Sequence, residues 1–263
     1  SIVFIHGFTG DPKGTWTLKN SSVNESCRAE VYWPRDLLPQ TVPGARVLTY
    51  GYDTNVRHSA MGVISQNTIH DHGWNFLCAL EELRRDEPLR PLLLISHSLG
   101  GLIVKEALRK SSDWELVKPH LCSIVRSTVG VLFFGTPHRG ADPRGLIHHA
   151  LTQLAKGVGF KFNDRVVETL MPGGEHLREM RDEFAALARQ GRWIIYCFQE
   201  EYGLPGLFGK KVVDDESSRL DDPTIETPRH ISSNHMDMCR FSGTGDPEYQ
   251  KVAAAIGRIL RKL

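Results

Sequence analysis

Short apolar stretches rich in Val, Ile, Leu and Phe alternate with segments of helical spacing along the whole chain. The stretches 1–5, 45–50, 91–96, 127–134, 193–198 and 210–213 read as strands, each bounded by polar or turn-forming residues. Between them Ile69, Phe76, Leu77, Leu80 and Leu83 recur at helical spacing, as do Ile103, Ala107 and Leu108. The last helix is the best marked. Asp246 suits an N-cap, Pro247 suits the first turn, and Tyr249, Val252, Ala253, Ile256, Leu260 and Leu263 form one apolar stripe. Strands alternating with helices predict a mainly parallel sheet with helices on both faces.

Two segments depart from that rhythm. Residues 20–35 read as a polar loop containing Ser21, Ser22, Asn24 and Cys27. Residues 139–190 exceed what one crossover helix needs and carry Leu146, Ile147, Ala150, Leu151 and Leu154 at helical spacing, with a break at Pro172-Gly173-Gly174. They read either as a helical insertion before the penultimate strand, capping the sheet's carboxyl edge, or as two ordinary packed helices. No repeat or low-complexity linker interrupts the chain, and its 263 residues fit one domain, 1–263, around a single large core.

Composition narrows the classes. With 32 basic against 31 acidic side chains and a net charge of +1, the chain lacks the basic excess of a nucleic-acid binder. Its apolar runs fall far short of the roughly 18 residues of a membrane span. The five cysteines are odd in number and never spaced as CxxC, which signals neither a disulfide framework nor a zinc knuckle and suits a reducing, intracellular location, cytoplasmic or organelle-associated. The chain opens on Ser1-Ile2-Val3-Phe4-Ile5, a strand already under way, and reads as a fragment of a longer polypeptide whose targeting signal would not be visible.

The chemistry concentrates at Ser96-His97-Ser98-Leu99-Gly100-Gly101, directly after the 91–96 strand and before a helical run. A serine on a sharp strand-to-helix turn is thrust out at the sheet's carboxyl edge beside a helix N-terminus, and the turn needs small residues two places either side. Ser96 and Gly100 hold those places, with Ser96 a departure from the usual glycine. Strand 1–5 ends in His6-Gly7-Phe8, a loop able to supply one half of an oxyanion hole; the N–H groups of Phe8 and Leu99 are the candidate donors. His6 reads as a structural hydrogen-bonding residue. His97 should point away from the Ser98 hydroxyl.

A serine needs a base, and this type of elbow orders its partners as Ser, acid, His. His235, on the polar loop before the last helix, is the candidate base, with His230 its rival. The acid should end a strand in between: Glu200 and Glu201 follow the 193–198 strand, and Asp214 and Asp215 follow 210–213. The pair His70 and His72, and the pair His148 and His149, form no convincing metal face, so neither metal nor cofactor is expected.

These features resemble the α/β-hydrolase superfamily, and within it the lipase-like domains of the serine-active-site-containing protein family and the N-terminal effector domains of fungal NLR-like receptors. The likeness runs through Val3 to Gly7 with Thr15-Trp16, Trp33 to Leu38, residues 45–53 and 95–105, Gly135-Thr136-Pro137-His138-Arg139-Gly140, and Asn234-His235 through Cys239-Arg240-Phe241. It implies an α/β-hydrolase fold and a serine esterase acting on carboxylic esters of lipid or acyl type. Its Phe-x-Glu pattern falls on Phe198-Gln199-Glu200 and favours Glu200 as the acid, although Glu201-Tyr202-Gly203-Leu204-Pro205 departs from the polar run expected next. It also implies a signalling or lipid-remodelling setting, with nucleotide-binding and repeat domains attached elsewhere and peripheral contact with a membrane. The competing reading is a catalytically inactive hydrolase-fold interaction module.

Overall fold

The inner strands owe their place to apolar residues on both of their faces, which only a sheet covered on both sides can bury. The computed structural model describes residues 1–8, 10–19, 30–53, 57–58, 67–114, 116–140, 160–161 and 175–263. Its strands are β1 (Ile2–Ile5), β2 (Thr17–Lys19), β3 (Glu30–Tyr32), β4 (Val47–Tyr50), β5 (Arg57–His58), β6 (Leu92–His97), β7 (Thr128–Phe134), β8 (Phe160–Lys161), β9 (Ile194–Glu200) and β10 (Glu226–Ile231). The described α-helices are α1 (Trp33–Asp36), α2 (Leu38–Thr41), α3 (Ile69–Arg84), α4 (Gly100–Asp113), α5 (Cys122–Ser127), α6 (Glu175–Gln190) and α7 (Pro247–Leu260).

Six strands form one sheet in the order β10-β9-β7-β6-β1-β4, and every neighbouring pair is parallel. Alternate residues divide the core in two. Val3, Ile5, Leu92, Leu94, Val131, Phe133, Ile195 and Cys197 face α3, α4 and α6. Ile2, Phe4, Leu93, Ile95, Leu132, Phe134, Tyr196 and Phe198 face Trp16, Trp33 and α7. Local signals start the helices: Thr68 and Asp71 close a capping box on α3, and the Asp246 carboxylate accepts the N–H groups of Glu248 and Tyr249 at the start of α7.

Five predicted strands stand where the sequence put them, to within two residues. The sixth does not. Residues 210–213 form no strand, and the sheet is completed by β10, an edge strand in which only Glu226 and Ile231 are buried. Its sequence, Glu-Thr-Pro-Arg-His-Ile, carries no apolar alternation, and its proline is tolerated because an edge strand need not donate on its open side. The last helix ends at Leu260, leaving Leu263 exposed beyond it.

Of the 139–190 segment, α6 is described and packs on α4 through Leu177, Met180, Phe184, Ala185 and Ala188. This helix, the last 16 residues of the segment, buries its apolar side against the same core as α4. Residues 141–159 and 162–174, with Leu151, Leu154 and the Pro-Gly-Gly break, lie outside the described residues, as do 20–29 of the polar loop. Among the described residues no helix is long and apolar enough to cross a membrane, and no group of three or more His, Cys, Asp or Glu could hold a metal ion.

Candidate active site

Ser98 joins β6 to α4 with a φ of 51°, in the left-handed region that L-residues avoid. The turn is held because the Ser98 N–H donates to the Phe134 carbonyl of the neighbouring strand at 2.8 Å. It is tight enough that a Cβ on Gly100 would lie 2.7 Å from the Ile5 carbonyl oxygen and closer still to that of His6. Glycine is therefore required there. Two places before Ser98, Ser96 is buried without conflict, its hydroxyl 3.5 Å from the Leu132 carbonyl oxygen. A small polar residue thus replaces the usual glycine.

His235 sits on the loop between β10 and α7, 1% exposed, with Nε2 3.1 Å from Ser98 Oγ. The loop's shape is local in origin: the Asn234 side-chain carbonyl accepts the N–H groups of Met236 and Asp237 at 2.9 and 3.2 Å, an Asx turn. Behind the imidazole, Nδ1 lies 3.3 Å from Glu200 Oε1 at the carboxyl end of β9. That approach is not aligned as a hydrogen bond, so the contact is electrostatic. The Glu200 carboxylate, 1% exposed, accepts the N–H of Val213 at 2.7 Å on Oε1 and that of Val212 at 3.1 Å on Oε2. Residues 212–213, expected to be a strand, are instead the clamp that holds a buried carboxylate in charge-assisted hydrogen bonds.

The other carboxylates point elsewhere. Glu201 is exposed and accepts the Ser232 hydroxyl, while the Asp214 carboxylate accepts the Ser217 N–H. Asp215 meets Lys211 at 2.8 Å and His230 at 3.3 Å, which puts His230 in a separate surface contact. Of the predicted base and acid candidates, the fold brings His235 and Glu200 to Ser98.

Phe8 follows Gly7, where a Cβ would lie 2.8 Å from Ser98 Cβ, Leu99 follows the serine, and neither backbone N–H has a backbone acceptor among the described residues. His6 sets the first of these groups. Its Nε2 accepts the Tyr52 N–H at 3.2 Å, which assigns the ring proton to Nδ1, and Nδ1 donates to the Gly7 carbonyl at 2.9 Å. That carbonyl belongs to the peptide whose N–H is that of Phe8, so His6 orients the donor and polarises it. Burial lowers the pKa of His6 and keeps it neutral. Tyr52 stacks on the ring at 4.3 Å and donates its hydroxyl to the His6 carbonyl at 2.9 Å. Val212 and Val213 carried no functional signal in the sequence, since they act through backbone N–H groups, and Tyr52, although inside the 45–53 stretch of the resemblance, was not singled out.

No family model matches the chain. Protein SERAC1 of Homo sapiens is 25% identical over 287 residues, an alignment covering 99% of this chain and 39% of that protein. Protein SERAC1 of Mus musculus is 26% identical over 265 residues, covering 91% of this chain and 36% of that protein. The chain therefore spans about two fifths of the length of these curated relatives. Among solved structures it resembles the mature Bacillus licheniformis lipase BlEst2, with a TM-score of 0.59, 16% identity, and coverage of 98% of this chain and 91% of the other. It also resembles a carboxylesterase structure from the thaumarchaeon Nitrososphaera gargenis, with a TM-score of 0.54, 14% identity, and coverage of 100% and 91%. Similarity at such identities speaks for the fold alone, and the fold it gives this chain is that of the α/β-hydrolases.

Proposed function

We propose that the chain is a serine hydrolase that cleaves carboxylic esters of lipid or acyl type through an acyl-enzyme. The observation that carries this reading is the buried line from Ser98 Oγ to His235 Nε2, 3.1 Å, and from His235 Nδ1 to Glu200 Oε1, 3.3 Å, behind a serine held at positive φ. In this reading His235 takes the Ser98 proton as Oγ attacks the ester carbonyl, and Glu200 stabilises the imidazolium that forms. The negative charge on the former carbonyl oxygen is met by the N–H groups of Phe8, on the loop after β1, and of Leu99, at the start of α4, each such donor contributing about 3 kcal/mol to the transition state. His235 then protonates the leaving alcohol, and the same base activates water to release the acid.

The ester class is supported by the lipase and the carboxylesterase among the similar structures. The test is exposure to a fluorophosphonate followed by intact-protein mass spectrometry, together with turnover of p-nitrophenyl esters of increasing chain length. Wild-type protein should gain one adduct and turn over ester, and Ser98→Ala should do neither. Unmodified, inactive wild type would leave the fold as an interaction module.

A further inference from the structure

Resting on the serine-hydrolase reading, we infer that His97 is a positioning residue: its Nε2–H ties the backbone carbonyl of His235 to the elbow and so fixes the base against Ser98. Its Nε2 lies 2.9 Å from the His235 carbonyl oxygen, across 138 residues of chain. A carbonyl can only accept, so Nε2 carries the proton and Nδ1 is left bare. The ring is 4% exposed and packs beside that of His235, centroids 4.9 Å apart and planes 44° apart. Burial first, and the neighbouring His235 second, hold its pKa well below the usual histidine value, so it stays a neutral donor.

Two features make this more than packing. The Asn234 turn sets the shape of the base loop, whereas the bond from His97 sets its distance from the residue next to the nucleophile. The ring also occupies the space that Gly7 leaves open: a Cβ there would lie 2.8 Å from His97 Nδ1 and 2.8 Å from Ser98 Cβ. One side chain thus touches the loops of both Phe8 and His235 while belonging to the elbow itself. His97 makes no contact that would move a proton in the reaction, and its effect passes through His235.

The test compares His97→Gln, whose amide nitrogen can reach the Nε2 position, with His97→Leu, which keeps similar bulk without a donor, and His97→Asn, whose amide reaches only the Nδ1 position. Kinetic constants for a p-nitrophenyl ester, the rate of fluorophosphonate labelling and the melting temperature are measured for each. Displacement of a reacting group by about 1 Å costs about 10²-fold, so the Leu and Asn variants should lose about that factor in kcat and in labelling rate with KM unchanged. The Gln variant should recover most of the loss. A Leu variant with wild-type kcat, or Gln and Asn variants equally impaired with equal losses of melting temperature, overturns the inference while the hydrolase reading stands. If Leu does not fold, the Gln against Asn contrast decides. A wild type that neither labels nor turns over ester overturns the hydrolase reading and this inference together.

Discussion

Replacing Lys105 by Met should stabilise the protein, and the gain should grow as the pH falls. Lys105 lies on α4 two turns after Ser98 and is 1% exposed. Among the described residues its Nζ has no hydrogen-bond partner, and it stands 5.6 Å from the ring centre of Phe184 and 5.9 Å from that of Phe133. Burial pushes its pKa from 10.5 down to about 7, with Cys197 opposing and Arg181 adding to the fall. The unfolded chain therefore binds this proton below about 10.5, while the folded chain binds it only below about 7. Stability from this group is fully present above the unfolded value, is lost progressively as the pH falls, and is all gone below about 7. At about 1.4 kcal/mol per tenfold change in proton affinity, the full penalty is about 5 kcal/mol, of which about 3 kcal/mol falls between pH 9 and pH 6. Methionine removes the charge and keeps favourable contacts with both rings. Urea unfolding of wild type and Lys105→Met at the two pH values checks this: with m near 3 kcal/mol/M, the gap between their midpoints should widen by about 1 M at pH 6. A gap that is the same at both values would refute the burial of a neutral amine at this position.

Glu200→Gln should lower ester turnover by up to about 10⁴-fold with the fold kept, as amide replacement of a triad acid does, whereas Glu201→Gln should stay close to wild type; kinetics with circular dichroism separate the two. Gly100→Ala should collapse the elbow, since its Cβ would meet the carbonyl oxygens of Ile5 and His6, and a drop in melting temperature of several degrees with loss of labelling is expected. Tyr52→Phe removes the hydroxyl donated to the His6 carbonyl, so a loss of about 1 kcal/mol in urea unfolding with reduced kcat should follow, and an unchanged kcat would show that the His6 network does not tune the Phe8 donor.

The signals the sequence carried were local ones. β6 and β7 are buried on both faces and must be apolar whatever packs on them, so their positions were legible to within two residues. The elbow was legible for a similar reason, because Ser98, its small neighbours and the start of α4 are contiguous and the turn's own sterics demand them. Chain order narrowed the base to His235 and its rival His230, the place of His235 on the loop before the last helix favoured it, and its Asx turn is again local. The acid could not be settled that way from the residues themselves. Glu200 and Glu201 are adjacent at a strand end, and successive side chains of a strand face opposite sides, so one of them must miss the base. Which one depends on where the chain goes after β9: residues 212–213 fold back to clamp Glu200, and β10 joins the edge and delivers the His235 loop to the same side. Neither event leaves a local trace, since the clamp is made of backbone N–H groups and β10 is a polar edge strand with little apolar surface to bury. Pairing by the main chain is indifferent to side-chain identity, and that is why only the tertiary structure could decide it.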